Sequence, residues 1–392
     1  MASLYRPLIL LLSIATIQVQ AIKWDREGIK GGYHPKQPEL QRPTPHADLP
    51  SDRPRLPRPT FAKRSDFESY SLTLTTDEYR QFVEDEDIYF KSEYHSVKKL
   101  GRSRLDDIQL AIKKSTGLEV VYKPIRKIGL VFYTLESSPP PECHNTEVSA
   151  LHGKHASARC MSPRPPNLLI PIEIKIQEYL TQPGYDNLYA PRVIDYIITE
   201  DAYILVMEYS GKEWVTLDGY IKAYGKFSVD KARLIIKEVV EALISLRKLG
   251  ILHGDVLDRN ILYNDKTGGV KLIDFGVSKP LEGWNQDNSV QAKFSNSESK
   301  SSRGKLDVGR TEVKDMESIG NLLYFLLTLR RPYHDPRLSQ EEVAKELRNR
   351  LDNPESQLTI NAADLIASLC KHSSSQMVSI EDIPDHPFFT SQ

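Results

Sequence analysis

From about residue 67 onward, apolar and polar positions follow regular spacings, and the spacing changes character near Tyr209. Upstream of that point the pattern predicts strands. Residues 94–112 and 117–125 are enriched in β-branched side chains, and 192–199 and 202–209 read as two strands joined by a tight turn at Glu200-Asp201. One segment of this half, 167–181, reads as an amphipathic helix. Downstream the period is helical. Ser228 suits the N-cap of a helix over Val229 to Leu249, stopped by Gly250, and 315–329, 340–351 and 361–371 read as further helices. A small strand-rich part followed by a larger helical part predicts an α+β fold in two lobes, about 67–207 and 210–392, within one domain over 65–392.

The first 64 residues lack this order. Arg6 is followed by sixteen uncharged residues, Pro7 to Ile22, centred on the apolar run Leu8 to Ile17. That is short of the ~20 residues that span a bilayer. With the small pair Val19/Ala21 it predicts a cleavable secretory signal over 1–21 and a secreted or secretory-pathway location; a buried N-terminal element is the alternative. Eight prolines follow between Pro35 and Pro59, which removes backbone donors and predicts an extended or disordered segment over 22–64. It ends at the dibasic pair Lys63-Arg64, so 22–64 reads either as a propeptide or as a plain linker. No later stretch is long and apolar enough to cross a membrane.

Composition narrows the class without naming it. Of 392 residues, 40% are hydrophobic and 27% charged, which excludes a fully disordered, collagenous or coiled-coil chain. The 52 basic residues balance 53 acidic ones, so nucleic acid is not an expected partner. The three cysteines are too few for disulfides to be the main source of stability. Cys143 and Cys160 lie in a polar, proline-rich insertion at about 134–166, expected to be a mobile surface loop that they either close as a disulfide or flank as free thiols. Cys370, on an apolar helical face, reads as a core thiol.

The chemistry is concentrated between residues 251 and 276. His253-Gly-Asp255-Val-Leu-Asp-Arg-Asn260 places a carboxylate and an amide five positions apart, and Asp274-Phe-Gly276 follows the apolar strand Val270 to Ile273. Phosphoryl transfer needs a carboxylate to orient the attacking hydroxyl and oxygen ligands for Mg²⁺. Asp255, Asn260 and Asp274 supply that set, at a spacing a short hairpin would bring together.

On these motifs the chain resembles eukaryotic-type protein kinases from about Tyr94 to Phe389. The resemblance implies a two-lobed fold that binds ATP with Mg²⁺ or Mn²⁺ and phosphorylates protein hydroxyls, Ser/Thr in the first instance. It implies that Lys123, in Val121-Tyr-Lys123, holds the phosphates and pairs with Glu173, with Glu178 the competing partner. Met207-Glu208-Tyr209 resembles the adenine-binding hinge, with Met207 as gatekeeper. Asp274 and Asn260 would hold the metal, and Asp255 would orient the substrate hydroxyl. Asp315-Met-Glu-Ser-Ile-Gly320, Tyr324-Phe325, Arg331-Pro332 and the closing His386-Pro-Phe-Phe389 resemble the C-lobe, most closely that of the casein kinase I branch.

The departures carry information too. Counted back from Lys123, the nucleotide loop is Gly101-Arg-Ser103-Arg-Leu-Asp106, which keeps only the first of three expected glycines. Ser103 is small enough to be tolerated, but the Asp106 carboxylate should repel the phosphates unless Arg102, Arg104 or a metal offsets it. Gly254 replaces the arginine usual before the catalytic Asp, so phosphorylation of the activation segment is not the expected switch. Leu257 replaces a lysine common in Ser/Thr kinases, whereas Arg259 sits where tyrosine kinases often carry an arginine. Three functions therefore stay open: a secreted protein kinase, a catalytically silent pseudokinase acting as a binding protein, and a small-molecule phosphotransferase. A monomer acting on a protein substrate is the expected working form of the first.

Overall fold

The computed structural model describes residues 55–102, 107–130, 132–145, 160, 163–182, 184–185, 187–281, 302–331, 340–351, 353, 355–370 and 379–391. All belong to one compact unit that begins at Pro45. The expected signal over 1–21, most of the proline-rich run, and the loop residues Ser103, Arg104 and Asp106 lie outside the described residues.

The upper lobe opens with helices α1 (Arg64–Thr73) and α2 (Asp77–Glu93), then strands β1 (Tyr94–Arg102), β2 (Asp107–Lys113), β3 (Leu118–Arg126), β4 (Tyr133–Leu135) and β5 (Leu169–Pro171). Helix α3 (Ile172–Leu180) and strands β6 (Val193–Ile198) and β7 (Ala202–Glu208) complete it. The lower lobe holds β8 (Trp214–Thr216), α4 (Leu217–Tyr224), α5 (Val229–Lys248), β9 (Ile251–Leu252), β10 (Ile261–Asn264), β11 (Val270–Leu272) and β12 (Lys279–Pro280). It ends with α6 (Ser302–Thr328), α7 (Gln340–Arg348), α8 (Gln357–Leu369) and the short α9 (Pro387–Thr390). This is the expected α+β, two-lobed protein-kinase architecture, a β-sheet lobe above a helical one.

The upper sheet is antiparallel, in the order β1-β2-β3-β7-β6. Successive side chains of β7 point to opposite faces. Tyr203, Leu205 and Met207 join a core with Ile174 of α3 and Tyr70 and Tyr79 of the N-terminal helices, whereas Ile204 and Val206 pack with Tyr94, Ala111 and Val120. Both faces of β7 are therefore covered. Helix α2 also seals the β6 edge: Glu86 accepts the Ile198 N–H at 3.0 Å, and the Tyr89 and Tyr94 hydroxyls both reach Asp195 Oδ2 at 3.1 Å.

Several sequence expectations need correction. Residues 94–112 hold two strands, β1 and β2, which pair antiparallel with Arg102 opposite Asp107. Residues 167–181 split into β5 and α3: Pro171 has no N–H to give a preceding helical turn and stands at the N-cap. Helices α1 and α2 were not anticipated, although Thr76 before Asp77-Glu78 is a capping signal, and its side chain accepts the Tyr79 N–H. The described residues also begin at Arg55, ahead of the expected boundary at 65, and Lys63-Arg64 opens α1. The roots of the insertion at 134–166 are not loose. Cys143 and Cys160 are disulfide-bonded, Arg164 pairs with Glu136 at 2.9 Å, and Lys175 of α3 donates to Ser138 Oγ at 3.1 Å.

The lower-lobe core gathers Ile235, Val239 and Leu243 of α5, Ile319 and Leu323 of α6, and Ala362 and Ile366 of α8. Gly320 is the contact point between α6 and α8. A Cβ there would lie 2.9 Å from Cys370 Sγ and 3.1 Å from the Leu369 Cβ. Burial pushes the Cys370 thiol up to about 12, so it packs as a neutral apolar group. Gly320→Ala is expected to lower stability by about 1–3 kcal/mol through overpacking, read as a lower midpoint in denaturant at constant slope. Among the described residues no helix is long and apolar enough to cross a membrane.

Candidate active site

The site lies where the two lobes meet. Strand β3 carries Lys123 at a register position opposite Leu205 of β7, which turns its side chain towards α3. There the ammonium bonds Glu173 Oε1 and lies 2.9 Å from Asp274 Oδ1. Burial alone would lower the Lys123 pKa, but the two carboxylates outweigh it and hold the ammonium above its ordinary value. Burial likewise works against the ionised Asp274, and Lys123 outweighs it, so this carboxyl sits below its usual range. The competing Glu178 is one turn further along α3 and pairs with Lys175 at 2.6 Å, so the Lys123 partner is Glu173.

The three chemistry-bearing residues of 251–276 converge by a hairpin. Ile261 of β10 pairs with Leu272 of β11, and the Asn260 carbonyl accepts the Ile273 N–H at 2.9 Å. Asn260 and Asp274, flanking these strands, are thereby brought to one end of the hairpin. Asn260 Nδ2 donates to Asp255 Oδ2 at 2.8 Å and to the Asp255 carbonyl at 2.9 Å, and Arg259 Nη2 reaches the same Oδ2 at 3.2 Å. Among the described residues this occupies one oxygen of Asp255 and leaves Oδ1 facing no donor of the chain. A side chain at Gly276 would crowd the site, since a Cβ would meet Asp274 Oδ1 and Glu173 Oε2 at 3.3 Å each and push both carboxylates by a few tenths of an ångström.

Beneath the site a buried frame fixes the loop. Asp315 of α6 accepts the His253 N–H at 3.0 Å and the Gly254 N–H at 2.7 Å, and burial pushes its carboxyl up to about 7 against those donors. His253 Nδ1 accepts the Asp255 N–H at 3.2 Å, so the hydrogen-bond network assigns the ring proton to Nε2, which faces the Ile273 carbonyl at 3.3 Å. Burial lowers the His253 pKa to about 4, in keeping with a neutral ring packed with its centroid 5.1 Å from that of the fully buried Phe275, the two planes tilted by 57°. Gly254 has φ +80°, and a side chain there would place its Cβ 2.9 Å from the Val277 carbonyl oxygen. An arginine does not fit. Lys314 Nζ instead donates to the Gly254 carbonyl, a residue that sequence reasoning missed although it directly precedes Asp315.

Other expected residues fall around this centre. Met207 is buried at the end of β7, and the buried Gln177 of α3 donates to Pro191 O at 2.7 Å with Met207 Sδ at 3.7 Å. Glu208 is committed through its side chain to Lys271 at 2.5 Å and through its N–H to Arg192 O, leaving the hinge to act through other backbone groups. Tyr209 follows directly and is half-buried. Gly101 is the last residue but one of β1, and a Cβ there would meet no atom of the described residues within 4 Å. Asp274 and the Asn260 side-chain oxygen form a hard-oxygen pair that suits Mg²⁺ or Mn²⁺.

Comparison with known proteins agrees with this geometry. The family described as the protein kinase domain matches residues 170–389, from the middle of β5 to α9. The chain is 26% identical over 299 residues to the sucrose non-fermenting protein kinase 1 of Fusarium virguliforme, covering 76% of this chain and 36% of that protein. It is 27% identical over 296 residues to the carbon catabolite-derepressing protein kinase of Candida glabrata, with 76% and 41% covered. A calcium and calcium/calmodulin-dependent serine/threonine-protein kinase of Lilium longiflorum is 26% identical over 306 residues, with 76% and 56% covered. The chain thus spans well under two thirds of the length of these relatives. With more than half of its residues inside the family match, and the buried ion pair, hairpin and Asp315 frame all assembled around it, this chain belongs to the protein kinase family.

Proposed function

We propose that the protein is an ATP- and Mg²⁺-dependent kinase that phosphorylates hydroxyls, Ser or Thr, of protein substrates. The observation that carries this reading is the assembled cluster itself: Lys123 reaches both Glu173 and Asp274, while Asp255 and Asn260 are bonded to each other beside it. The Lys123 and Glu173 side chains are only 8% and 7% exposed, and burying charges costs several kcal/mol per ion before pairing, whereas the Asp274 side chain is 43% exposed and so reachable from solvent.

The roles follow from the contacts. Lys123, held by Glu173, presents a cation to the phosphates of the nucleotide. Asp274 and the Asn260 oxygen would hold the metal, which when bound neutralises charge developing on the transferred group. Asp255 turns its free Oδ1 to the substrate hydroxyl and takes or orients its proton, while Asn260 and Arg259 keep its other oxygen in place. The Gly254 geometry supports a loop organised without a phosphate on the activation segment. The names of the relatives support Ser/Thr over Tyr. Kinship with the casein kinase I branch rests on the Asp315 to Gly320 and Arg331-Pro332 signatures.

The secretory route is part of the same proposal. It is supported by the apolar run at 8–17 and by the Cys143–Cys160 bond, since disulfides persist in oxidising compartments. A mature chain beginning at Met1 or Ala2 and recovered from cytosol would refute it. For the activity, melting temperature is measured with ATP, with Mg²⁺ and with both. A rise that needs both, together with phosphate transfer to itself or to Ser/Thr peptides, is the expected result. No transfer with Mg²⁺ or Mn²⁺ would leave a nucleotide-binding or silent kinase fold.

A further inference from the structure

We propose that residues 55–62 form a strap that positions helix α3, and with it Glu173, for phosphoryl transfer, with Arg58 as the positioning residue; the catalytic part rests on the kinase reading above. The strap touches both ends of the helix. At the C-terminal end the Leu56 N–H donates to Gln182 Oε1 at 2.5 Å, while Gln182 Nε2 faces the Tyr179 carbonyl at 2.9 Å and the Leu56 carbonyl at 3.4 Å. The strap is thereby joined to the last turn of α3. Arg55 lies 4.6 Å from the Tyr185 ring, close against Gly184, where an added Cβ would stand 3.5 Å from the guanidinium.

At the N-terminal end the Ala62 N–H donates to the Tyr133 carbonyl at 2.7 Å and Phe61 packs on Phe132 with centroids 5.6 Å apart. The Phe132 carbonyl in turn accepts the N–H of Ile172, the first residue of α3, at 3.0 Å. The lengths agree: six residues of extended chain reach about 20 Å, and a nine-residue helix is about 13 Å long. Pro57 and Pro59 hold their own φ angles, so little chain entropy is lost on docking.

Arg58 connects this brace to the other lobe. Its Nη1 donates to the carbonyl of Leu281, the residue after β12 and only five beyond Gly276. One segment therefore binds the helix that carries Glu173 and the chain that leads away from Asp274, the two carboxylates that hold Lys123. Every residue of α3 is buried, so the helix has no free face on which to swing outward while the strap is docked. The proline-rich run next to the dibasic pair then has a role in the folded domain, and a chain cut after Arg64 would lose the covalent tie to it.

Full-length Arg58→Ala and Arg58→Lys are compared with wild type, with Arg64→Ala as an exposed neighbour control. Two readouts are taken: amide hydrogen exchange of 172–180 and 229–248, and kcat against KM for ATP. Arg58→Ala is expected to speed exchange of α3 roughly tenfold while α5 is unchanged, and to lower kcat by a similar factor. Arg58→Lys, which keeps a donor, is expected to recover most of both. Unchanged exchange in α3, or equal loosening of α3 and α5, would overturn the proposal. If wild type neither binds Mg·ATP nor transfers phosphate, the kinase reading fails, and the exchange of α3 decides the strap by itself.

Discussion

Asp274→Asn is expected to abolish metal-dependent nucleotide binding and phosphoryl transfer together. Of the two residues proposed to hold the metal, Asp274 is the charged one, and Lys123 keeps its carboxyl below the ordinary range. An amide of the same shape can still accept the Lys123 hydrogen bond through its oxygen, so the unliganded fold should stand. What is lost is the negative charge. A metal that neutralises phosphate charge contributes several kcal/mol, and about 4 kcal/mol corresponds to roughly a thousandfold in rate. Melting of the free variant should match wild type, whereas the rise on adding Mg·ATP should disappear. A variant that keeps the rise would place the metal ligands elsewhere.

Asp255→Asn should separate binding from chemistry. The Lys123–Glu173–Asp274 cluster does not involve Asp255, so nucleotide affinity is expected to stay within about twofold of wild type, well under 1 kcal/mol. The substituted amide can turn its oxygen towards Asn260 and Arg259, which now hold Asp255 Oδ2, leaving an NH₂ where Oδ1 faces the substrate. An amide cannot take the hydroxyl proton. The expected loss in kcat is about 10²–10⁴-fold, the range for a positioned general base. Single-turnover transfer beside equilibrium ATP binding measures both quantities on one preparation. Equal loss of binding and turnover would mean that Asp255 acts on the catalytic loop as a structural cap.

These outcomes depend on contacts that the linear chain discloses unevenly. The catalytic loop and Asp274-Phe-Gly276 are legible because their chemistry is local. A loop, a short hairpin and a second loop place Asn260 beside Asp274 by strand register alone. The helical lower lobe is legible for a related reason: caps such as Ser228 and stops such as Gly250 act over four or five residues. The expected helix over 167–181 reads as amphipathic, a feature the structure does not bear out for α3. In the fold α3 is buried on every side, with Ile172 and Ile176 in the lower core and Ile174 in the upper one, so no polar face marks it.

The amino-acid sequence by itself determined the two-lobed class and the candidate residues for phosphoryl transfer, because spacing and side-chain type express that chemistry directly. Tertiary structure alone decided which glutamate answers Lys123, since Glu173 and Glu178 lie one turn apart and only the placement of α3 against β3 separates them. It also decided that residue 254 must be glycine, through the approach of the Val277 carbonyl from 23 positions away. The strap belongs to the same group. A proline-rich run carries no amphipathic period, so its order comes from surfaces on α3 and at Leu281 that exist only after the rest of the chain has folded.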